Sequence, residues 1–368
     1  MTIPLPLATP DLIWQVTRNE HAKPAEEREA ILADPGFGNH FTDHMVDLCW
    51  SERGGWHRPR VSPYGPIQLD PAAAVLHYAQ EVFEGLKAYR HADGGIWTFR
   101  PYENAARMQR SAHRMALPEL PVEHFIESLK QLIAVDADWV PTAAETSLYL
   151  RPFMFAKEAF LGVRPAKKAA YYLIASPAGA YFPGGVQPVN IWLSTEYARA
   201  GKGGTGAAKA GGNYASSLLP QAEAYEKGCE QVLFLNEDGY LEELGGMNIV
   251  LVKADGTLLT PDSPSILEGV TRESILQLAA DRGHAVEQRR ITMQEWREGA
   301  ESGEIVGAFA CGTAAVVVPI GRLLAEDFEI RPVGEESERL ALSLRDELTG
   351  IQYGRIEDRH GWMMRLDA

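Results

Sequence analysis

The sequence predicts an α/β protein of two domains, each with a β-sheet core flanked by helices. The chain has 368 residues, which is long enough for two hydrophobic cores. Segments with strand alternation and segments with helical periodicity follow one another along the chain, and a run rich in glycine and proline at 176–188 interrupts them. We therefore predict a smaller N-terminal domain with an N-terminal arm at 1–178, a linker at 179–188 and a larger C-terminal domain at 189–368.

Composition and charge argue against several classes of protein. Fifty acidic and thirty-five basic residues give a net charge of −15, which argues against nucleic acid or an anionic membrane as a partner. The first apolar run, at 3–8, is too short and too rich in proline for a signal peptide, and no later run is long enough to span a membrane. Cys49, Cys229 and Cys311 are odd in number and far apart, as is typical of a reducing compartment. We expect a cytoplasmic protein.

The N-terminal half begins with an expected extended arm at 1–35, where little periodicity is visible. Alternation predicts a strand at 45–50, which argues against a helical metal pair of His40 and His44, and no third ligand follows. We therefore expect no metal site. The remaining elements predicted in this half are strands around a glycine-centred bend at 75–89, a strand at 96–99, helices at 102–115 and around 125–133, and strands at 146–153 and 169–175.

Three positively charged or aromatic side chains in this half are singled out. Strand alternation sends Tyr149 and Arg151 to one face, where they could bind a carboxylate. An ordinary polar face of a half-buried strand is the alternative. Arg107, in the helix at 102–115, is a surface charge on composition alone.

Lys209 is the candidate reactive group, because it stands among glycines and alanines just before a predicted helix. A lysine reacts as a nucleophile only in its neutral form, which small and poorly hydrating neighbours favour. A mobile, solvated loop is the alternative. The match to G-x-G-x-x-G at 201–206 is rejected as a dinucleotide site, since more glycines follow it and Asn213 is the better N-cap of the helix.

The C-terminal half supplies a candidate buried carboxylate and two candidate anion sites. Alternation sends Glu242 and Glu243 to opposite faces of a strand, so that one points inward and requires a cationic partner while the other meets water. A helix starting at 267 and a turn at Gly312 and Thr313 could hold an anion. The elements predicted here are strands at 189–194, 231–235 and 240–244, two strands flanking 255–256, a helix at 267–283, a helix capped at 292–295, apolar strands around 308–318 and a helix at 335–348.

A reactive lysine, a carboxylate, an arginine and two anion-binding turns together describe a site for pyridoxal 5'-phosphate. The lysine would hold the cofactor aldehyde as a Schiff base and move a proton at the substrate Cα, while the carboxylate would keep the pyridine nitrogen protonated. The turns and the arginine would bind the phosphate.

Five motifs occur in order along the chain and resemble those of the branched-chain amino acid aminotransferases, which belong to fold type IV of the pyridoxal phosphate enzymes. The resemblance extends over nearly the whole chain, from about Phe37 to the C-terminal 360–363 motif. It implies an active site between the two domains and a C-terminal domain that binds the cofactor. The motifs are Phe-Glu-Gly-Leu-Lys-Ala at 83–88, Arg-Pro at 100–101 with Asn104 and Arg107, Lys-Ala-Gly-Gly-Asn-Tyr at 209–214, Glu-Leu-Gly-Gly-Met-Asn at 243–248 and Gly-Val-Thr-Arg at 269–272.

The resemblance implies a role for each matching residue. Lys209 would be the Schiff-base lysine, Tyr214 would bond the phenolic oxygen of the cofactor, and Glu243 would face the pyridine nitrogen. The phosphate would be held by Arg107, Val270, Thr271 and Thr313. The substrate pocket would be lined by Phe37, Tyr78, Phe83, Tyr149, Arg151 and Tyr181, with Leu161 and Val163 from a partner subunit, and the amides of Thr313 and Ala314 would receive the substrate carboxylate.

Two positions depart from the family pattern. Mammalian members carry a Cys-x-x-Cys pair after Gly-Thr-Ala, but this chain has Ala315 and Val318, so we expect no thiol switch there. Some relatives have threonine where this chain has Gly246, which removes one hydroxyl near the cofactor ring.

The resemblance implies a homodimeric enzyme with shared active sites. Its reaction would be transamination between a branched-chain L-amino acid (leucine, isoleucine or valine) and 2-oxoglutarate, giving a 2-oxo acid and L-glutamate by a ping-pong mechanism. The alternatives are another fold type IV enzyme, such as a D-amino acid aminotransferase or an aminodeoxychorismate lyase, and a catalytically inactive relative that acts as a binding protein.

Overall fold

The computed structural model describes residues 12–180 and 185–368, and in this part the strands form two sheets of nine strands each. The first sheet has the strand order β1-β3-β2-β8-β7-β5-β6, and β4 pairs with β7. Only β1 and β3 pair in parallel among the strands described here. These strands are β1 (Gln15–Val16), β2 (His44–Ser51), β3 (Gly55–Pro63), β4 (Glu81–Phe83), β5 (Leu86–Arg90), β6 (Ile96–Phe99), β7 (Ser147–Ala156) and β8 (Lys168–Ala178).

The second sheet has the strand order β11-β10-β9-β16-β15-β12-β13-β14, and β17 pairs with β16. Its strands are β9 (Val189–Ser194), β10 (Gln231–Leu235), β11 (Leu241–Leu244), β12 (Asn248–Lys253), β13 (Leu258–Pro261), β14 (Val286–Arg289), β15 (Ile305–Gly312), β16 (Val316–Leu324) and β17 (Glu329–Ile330). A last strand, β18 (Met363–Arg365), returns to the first sheet and pairs with β6. The range 189–368 therefore contains one strand of the first sheet, and the predicted division at 179–188 stays a prediction.

Helices cover both sheets in the part of the chain that the structure describes. They are α1 (Ala25–Ala33), α2 (Ala74–Tyr78), α3 (Pro101–Arg114), α4 (Val122–Asp136), α5 (Gly211–Ala215), α6 (Leu218–Glu226), α7 (Val270–Asp281), α8 (Met293–Ser302) and α9 (Glu336–Gln352). The predicted mixed α/β class is confirmed. No helix between residues 12 and 180 or 185 and 368 is both long and apolar enough to cross a membrane.

Three hydrophobic cores explain how the site is positioned. One core lies between the first sheet and helices α3 and α4, and a second fills the side of the second sheet that α8 covers. The third core joins the two sheets, because Tyr89 and Phe99 of the first sheet pack with residues of α7 and α9. Burial of these side chains, at roughly 25 cal/mol per Å² of apolar surface, holds the two sheets against each other.

Most predicted elements are present, but two helices in the first half were missed. The expected extended arm contains α1, which has no fully buried residue and therefore no strong periodicity. The expected strand at the start of 75–89 is instead the short helix α2. A turn precedes it, in which the Asp70 carboxylate accepts a hydrogen bond from the backbone of Ala72 and the Asp70 carbonyl accepts one from Ala73.

Protein groups surround the imidazole ring of His44. Its Nδ1 lies 2.7 Å from Asp136 Oδ1, and its Nε2 accepts a hydrogen bond from the backbone of Asn19 at 2.8 Å. Both ring nitrogens thus have protein partners. Among the described residues, no group of three or more His, Cys, Asp or Glu side chains is placed to hold a metal ion.

Candidate active site

Lys209 stands directly before α5, and three backbone contacts hold it in place. The backbone N–H of Lys209 donates a hydrogen bond to Ser111 Oγ at 2.9 Å, and the backbone carbonyl of Lys209 accepts one from the backbone N–H of Phe83 at 2.9 Å. Two residues further on, the nitrogen of Gly211 donates to Glu81. Because Ser111, Phe83 and Glu81 belong to α3 and β4, the first half of the chain fixes a lysine of the second half.

The side chain of Lys209 meets a tyrosine and an aromatic wall. Its Nζ donates a hydrogen bond to the Tyr214 hydroxyl at 2.8 Å and lies 4.9 Å from the centre of the Phe83 ring. The N-cap expected at Asn213 is wrong. Asn213 lies inside α5, and its buried amide donates back to the carbonyls of Thr205 and Ala208, which closes the glycine-rich segment onto the helix.

Glu243, on β11, is buried with the cationic partner that the sequence required. Its Oε1 lies 2.7 Å from Arg199 Nη2 and accepts a hydrogen bond from the backbone of Leu267, while its Oε2 accepts one from Asn248. Burial raises the pKa of Glu243 above its usual value, and the charge of Arg199 opposes this rise. One charge-assisted network therefore fixes the carboxylate.

The expectation that the other glutamate of this pair meets water is wrong. Glu242 is 1 % exposed, and its carboxylate accepts hydrogen bonds from the hydroxyls of Ser263 and Ser265. Alternation does send it to the opposite face from Glu243, but the loop at 262–269 covers that face. A periodic pattern in one strand carries no information on a loop that packs over it.

Arg107 is a buried residue of α3, so the surface reading is wrong. Its Nε and Nη2 donate to the two carboxylate oxygens of Glu84 at 2.7 and 2.8 Å, and its Nη1 donates to the carbonyl of Glu268 at 2.9 Å. Burial alone would raise the pKa of Glu84, but the charge and hydrogen bonds of Arg107 outweigh it and hold that pKa below its usual value. Two N–H bonds of Arg107 stay free for an anion.

The two predicted anion sites lie beside this arginine. Helix α7 begins at Val270, with Thr271 in its first turn, so its N-terminus offers unpaired backbone N–H groups. The turn between β15 and β16 contains Thr313, whose hydroxyl donates to the carbonyl of Gly85.

A single cavity, with about 420 Å³ of empty space including its mouth, brings the predicted cofactor residues together. Arg199, Asn248 and Gly246 also line it, and a Cβ added at Gly246 would enter open space. A larger pocket lined by Tyr197 and Arg290 contains none of the predicted residues. The predicted residues that line the smaller cavity are Arg107, Lys209, Tyr214, Glu243, Val270, Thr271 and Thr313.

Four of the predicted substrate residues form a continuous aromatic and cationic wall next to Lys209. Arg151 Nη2 donates to the Tyr149 hydroxyl at 3.1 Å, and the guanidinium lies 4.9 Å from the centre of the Phe83 ring. Phe37 packs edge-on against Tyr149, with ring centres 5.2 Å apart. The shared face of Tyr149 and Arg151 on β7 is thereby confirmed.

The other predicted substrate residues lie elsewhere. Tyr78 donates its hydroxyl hydrogen to the carbonyl of Leu161, and Leu161 and Val163 are 67 and 90 % exposed, so these three form a separate surface group in one chain. Ala314 follows Thr313 in the turn, and its carbonyl accepts from Lys87. Tyr181 lies outside the described residues.

Sequence reasoning assigned no role to Arg199, Glu84, Ser111 or Lys87, although each supports a predicted site residue. The rule that a buried carboxylate needs a cationic partner could have directed attention to the arginine that opens the glycine-rich segment. Ser111 carries no signal of its own in the sequence.

Comparisons with known proteins agree with this geometry. The family model described as amino-transferase class IV matches residues 81–323. The chain belongs to the class IV aminotransferase family. Two branched-chain-amino-acid aminotransferases are similar to it: that of Mycolicibacterium smegmatis is 57 % identical, over 97 % of this chain and 99 % of the relative, and that of Mycobacterium tuberculosis is 59 % identical, over 92 % and 94 %.

Solved branched-chain amino acid aminotransferases have the same fold. That of Escherichia coli superposes with a TM-score of 0.71 and 26 % identity, over 87 % of this chain and 99 % of that chain. Another, solved with pyridoxamine 5'-phosphate, superposes with a TM-score of 0.72 and 28 % identity, over the same shares of the two chains. The family resemblance, the fold type and the enzymatic nature predicted from sequence are thereby confirmed.

Pyridoxal 5'-phosphate is the cofactor of this family, as the sequence predicted, and the donor set of this chain fits it. The cavity joins a lysine amine, a tyrosine hydroxyl and a buried carboxylate with an arginine and a helix N-terminus. An amine suits the cofactor aldehyde, a carboxylate suits a protonated pyridine nitrogen, and the last two groups suit a phosphate.

Proposed function

We propose that this class IV aminotransferase transfers the amino group of leucine, isoleucine or valine to 2-oxoglutarate, giving the branched-chain 2-oxo acid and L-glutamate by a ping-pong mechanism. The single observation that carries this proposal is the cavity that joins Lys209, Glu243 and Arg107 beside the wall of Tyr149 and Arg151. The names of the two mycobacterial relatives support the branched-chain substrates. When bound, pyridoxal 5'-phosphate supplies the electron sink for charge that develops at the substrate Cα.

Lys209 is the proposed catalytic residue, which binds the cofactor and then moves a proton at the substrate Cα. Its Nζ has the Tyr214 hydroxyl as a hydrogen-bond partner at 2.8 Å. That hydroxyl is placed to orient the amine and to bond the phenolic oxygen of the cofactor. Glu243, held by Arg199, would keep the proton on the pyridine nitrogen.

Arg107 and the N-terminus of α7 are proposed to hold the phosphate. Arg107, Val270, Thr271 and Thr313 all line this cavity. The free N–H bonds of Arg107 and the backbone N–H groups of Val270 and Thr271 would donate to the phosphate. The hydrogen of the Thr313 hydroxyl is already donated to the carbonyl of Gly85, so Thr313 would contact the phosphate without donating that hydrogen. The bidentate bond from Glu84 fixes the direction in which Arg107 presents its remaining donors.

The substrate pocket must accept both an aliphatic side chain and the second carboxylate of glutamate. We propose that Phe37 and Phe83 contact the aliphatic chain and that Arg151 and Tyr149 bind the second carboxylate. The amides of Thr313 and Ala314 would receive the carboxylate common to all substrates.

The enzyme is proposed to act as a homodimer with shared active sites. Leu161 and Val163 are apolar yet 67 and 90 % exposed, and Tyr78 holds their loop through the carbonyl of Leu161. In a dimer these side chains would enter the partner's pocket. The three free thiols support a reducing compartment such as the cytoplasm.

The visible absorption spectrum of the purified enzyme with pyridoxal 5'-phosphate tests the function. We expect the band of the bound cofactor to be lost on addition of L-leucine and restored by 2-oxoglutarate. Lys209→Ala should lose both the band and turnover, whereas Lys202→Ala, an exposed lysine of the same loop, should keep both. A response to D-amino acids or aminodeoxychorismate alone would favour the alternative enzymes, and substantial transamination by Lys209→Ala would contradict the mechanism.

A further inference from the structure

The turn that contains Thr313 and Ala314 is tied to the first sheet by two hydrogen bonds. Lys87 Nζ donates to the carbonyl of Ala314 at 3.0 Å, and the Thr313 hydroxyl donates to the carbonyl of Gly85 at 3.4 Å. Lys87 lies on β5 of the first sheet, and Gly85 directly precedes that strand. Contacts from the first sheet therefore restrain the conformation of a turn that belongs to the second sheet.

This turn needs external support, because it ends in a strained residue. Val316 has a φ of 65°, in the left-handed region that β-branched residues rarely adopt. Such a conformation costs on the order of 1–3 kcal/mol and persists only where the surroundings impose it. The ladder pairing of Gly312 with Val316 supplies one constraint, and the bond from Lys87 to the middle of the turn supplies another.

We propose that Lys87 is a positioning residue whose ammonium group holds the Thr313–Ala314 turn in the conformation that receives the substrate carboxylate. The inference rests on the proposed role of this turn. The carbonyl of Ala314 belongs to the peptide group that follows the Ala314 amide, so holding it limits rotation about the Cα–C bond of Ala314. Together with the bond from Thr313 to Gly85, it restrains the turn in which the two amides lie. The positive charge beside the turn also favours an anionic substrate.

Burial and the charges around Lys87 make the charge of its ammonium group sensitive to pH. Arg345 of α9 and Glu145 act directly on the charge of Lys87, and Glu145 pairs with Arg345 at 2.6 Å. Tyr353 and Arg355, which follow α9, lie near that pair. Burial, together with the charge of Arg345, lowers the pKa of Lys87 to about 8, and Glu145 opposes this shift. Lys87 is therefore charged below about pH 8 and loses its charge as the pH rises through that value.

The test measures binding of 4-methylpentanoate, a leucine skeleton without an amino group, to the holoenzyme by calorimetry at pH 6.5, 8 and 9.5. Lys87→Met should raise the Kd about tenfold at pH 6.5, since a charge-assisted hydrogen bond is lost. The ratio of the Lys87→Met Kd to the wild-type Kd should fall toward one at pH 9.5, because the wild type then also lacks the charge. The arginine of Lys87→Arg stays charged at all three pH values. This variant should therefore still bind 4-methylpentanoate with a lower Kd than Lys87→Met at pH 9.5.

Lys253→Met is the matched control, because Lys253 is also a partly buried, paired lysine but lies on the second sheet away from the cavity. It should leave the Kd unchanged. A Kd ratio of one at pH 6.5, or a ratio that does not change with pH, would overturn the inference. If Lys87→Met does not fold, Lys87→Gln takes its place. A wild type that shows no amino transfer would contradict the proposed function, whereas normal transfer with an unchanged Kd in Lys87→Met would contradict the role of Lys87 alone.

Discussion

The backbone nitrogen of Lys209 donates a hydrogen bond to the hydroxyl of Ser111, 2.9 Å away on helix α3. Ser111 is 1 % exposed and lies among the side chains that cover the first sheet, whereas Lys209 precedes a helix of the second half of the chain. The reactive lysine is thus aligned by the half of the protein that does not carry it. Its position depends on the packing between the two halves as much as on its own loop.

Replacement of Ser111 by alanine should lower kcat about tenfold, because a catalytic group that is displaced by a fraction of an ångström loses its alignment. The unpaired backbone N–H should also lower the free energy of unfolding by about 1–3 kcal/mol. Steady-state kinetics and denaturant unfolding measure the two effects. Ser128→Ala is the control, since this buried serine bonds Phe125 and Tyr171 and touches no site residue. It should lower stability but leave kcat unchanged; an equal fall in kcat in both variants would contradict a specific role for Ser111.

Glu84→Gln should weaken the binding of pyridoxal 5'-phosphate and destabilise the protein at pH 7 by about 3 kcal/mol, because it leaves the charge of Arg107 buried and unpaired. The folded-state pKa of Glu84 is depressed. The contribution of the ionised Glu84 to the free energy of unfolding is therefore fully present above about pH 5, and it is lost as the pH falls through the folded-state pKa. The difference in unfolding free energy between wild type and variant should accordingly shrink in acid.

Equilibrium dialysis of the cofactor and urea unfolding at pH 7 and pH 4 measure these effects. Glu335→Gln removes one partner of an exposed pair with Arg339 and should change neither quantity measurably. A Glu84→Gln protein with wild-type cofactor affinity would show that Arg107 needs no carboxylate to orient it.

The positions of most helices and strands, and the identity of the cofactor residues, could be predicted from periodicity and short motifs in the sequence. Helix α3 and strand β10 lie where alternation and periodicity placed them, and the seven predicted cofactor residues line one cavity. Helices α1 and α2 were missed because the first has no fully buried residue and the second has little more than one turn. Glu242 was misplaced because a loop distant in sequence covers it.

The supporting contacts of the site could not be predicted, because they join residues that only the tertiary fold brings together. The bond from Lys87 to Ala314 crosses from the first half of the chain to the second, and the bond from the backbone N–H of Lys209 to Ser111 joins the same two halves. A motif identifies which residues belong to a site. It does not identify which backbone group a supporting side chain contacts, because that depends on how the two halves of the chain pack together.

Gly85→Ala should impair recognition of 2-oxoglutarate more than recognition of leucine. A Cβ on Gly85 would overlap the hydroxyl of Tyr149, which must then move away from Arg151. Since these two side chains are proposed to bind the second carboxylate, we expect the KM for 2-oxoglutarate to rise about tenfold or more. Gly65→Ala, where an added Cβ meets open space, should leave both KM values unchanged. An equal rise for both substrates would argue against this role of the pair.

The catalytic activity should resist thiol oxidation. Cys49, Cys229 and Cys311 are unpaired and buried, and burial raises the pKa of Cys311 to about 12 and also raises that of Cys229. Since only the thiolate reacts readily, Cys311 is almost entirely in its unreactive protonated form at pH 8. Titration with a thiol-specific disulfide reagent should label the native enzyme slowly and all three cysteines in guanidinium. Brief treatment with dilute hydrogen peroxide should not change kcat; a loss of activity that a reductant reverses would show that this chain has a redox switch without the Cys-x-x-Cys pair.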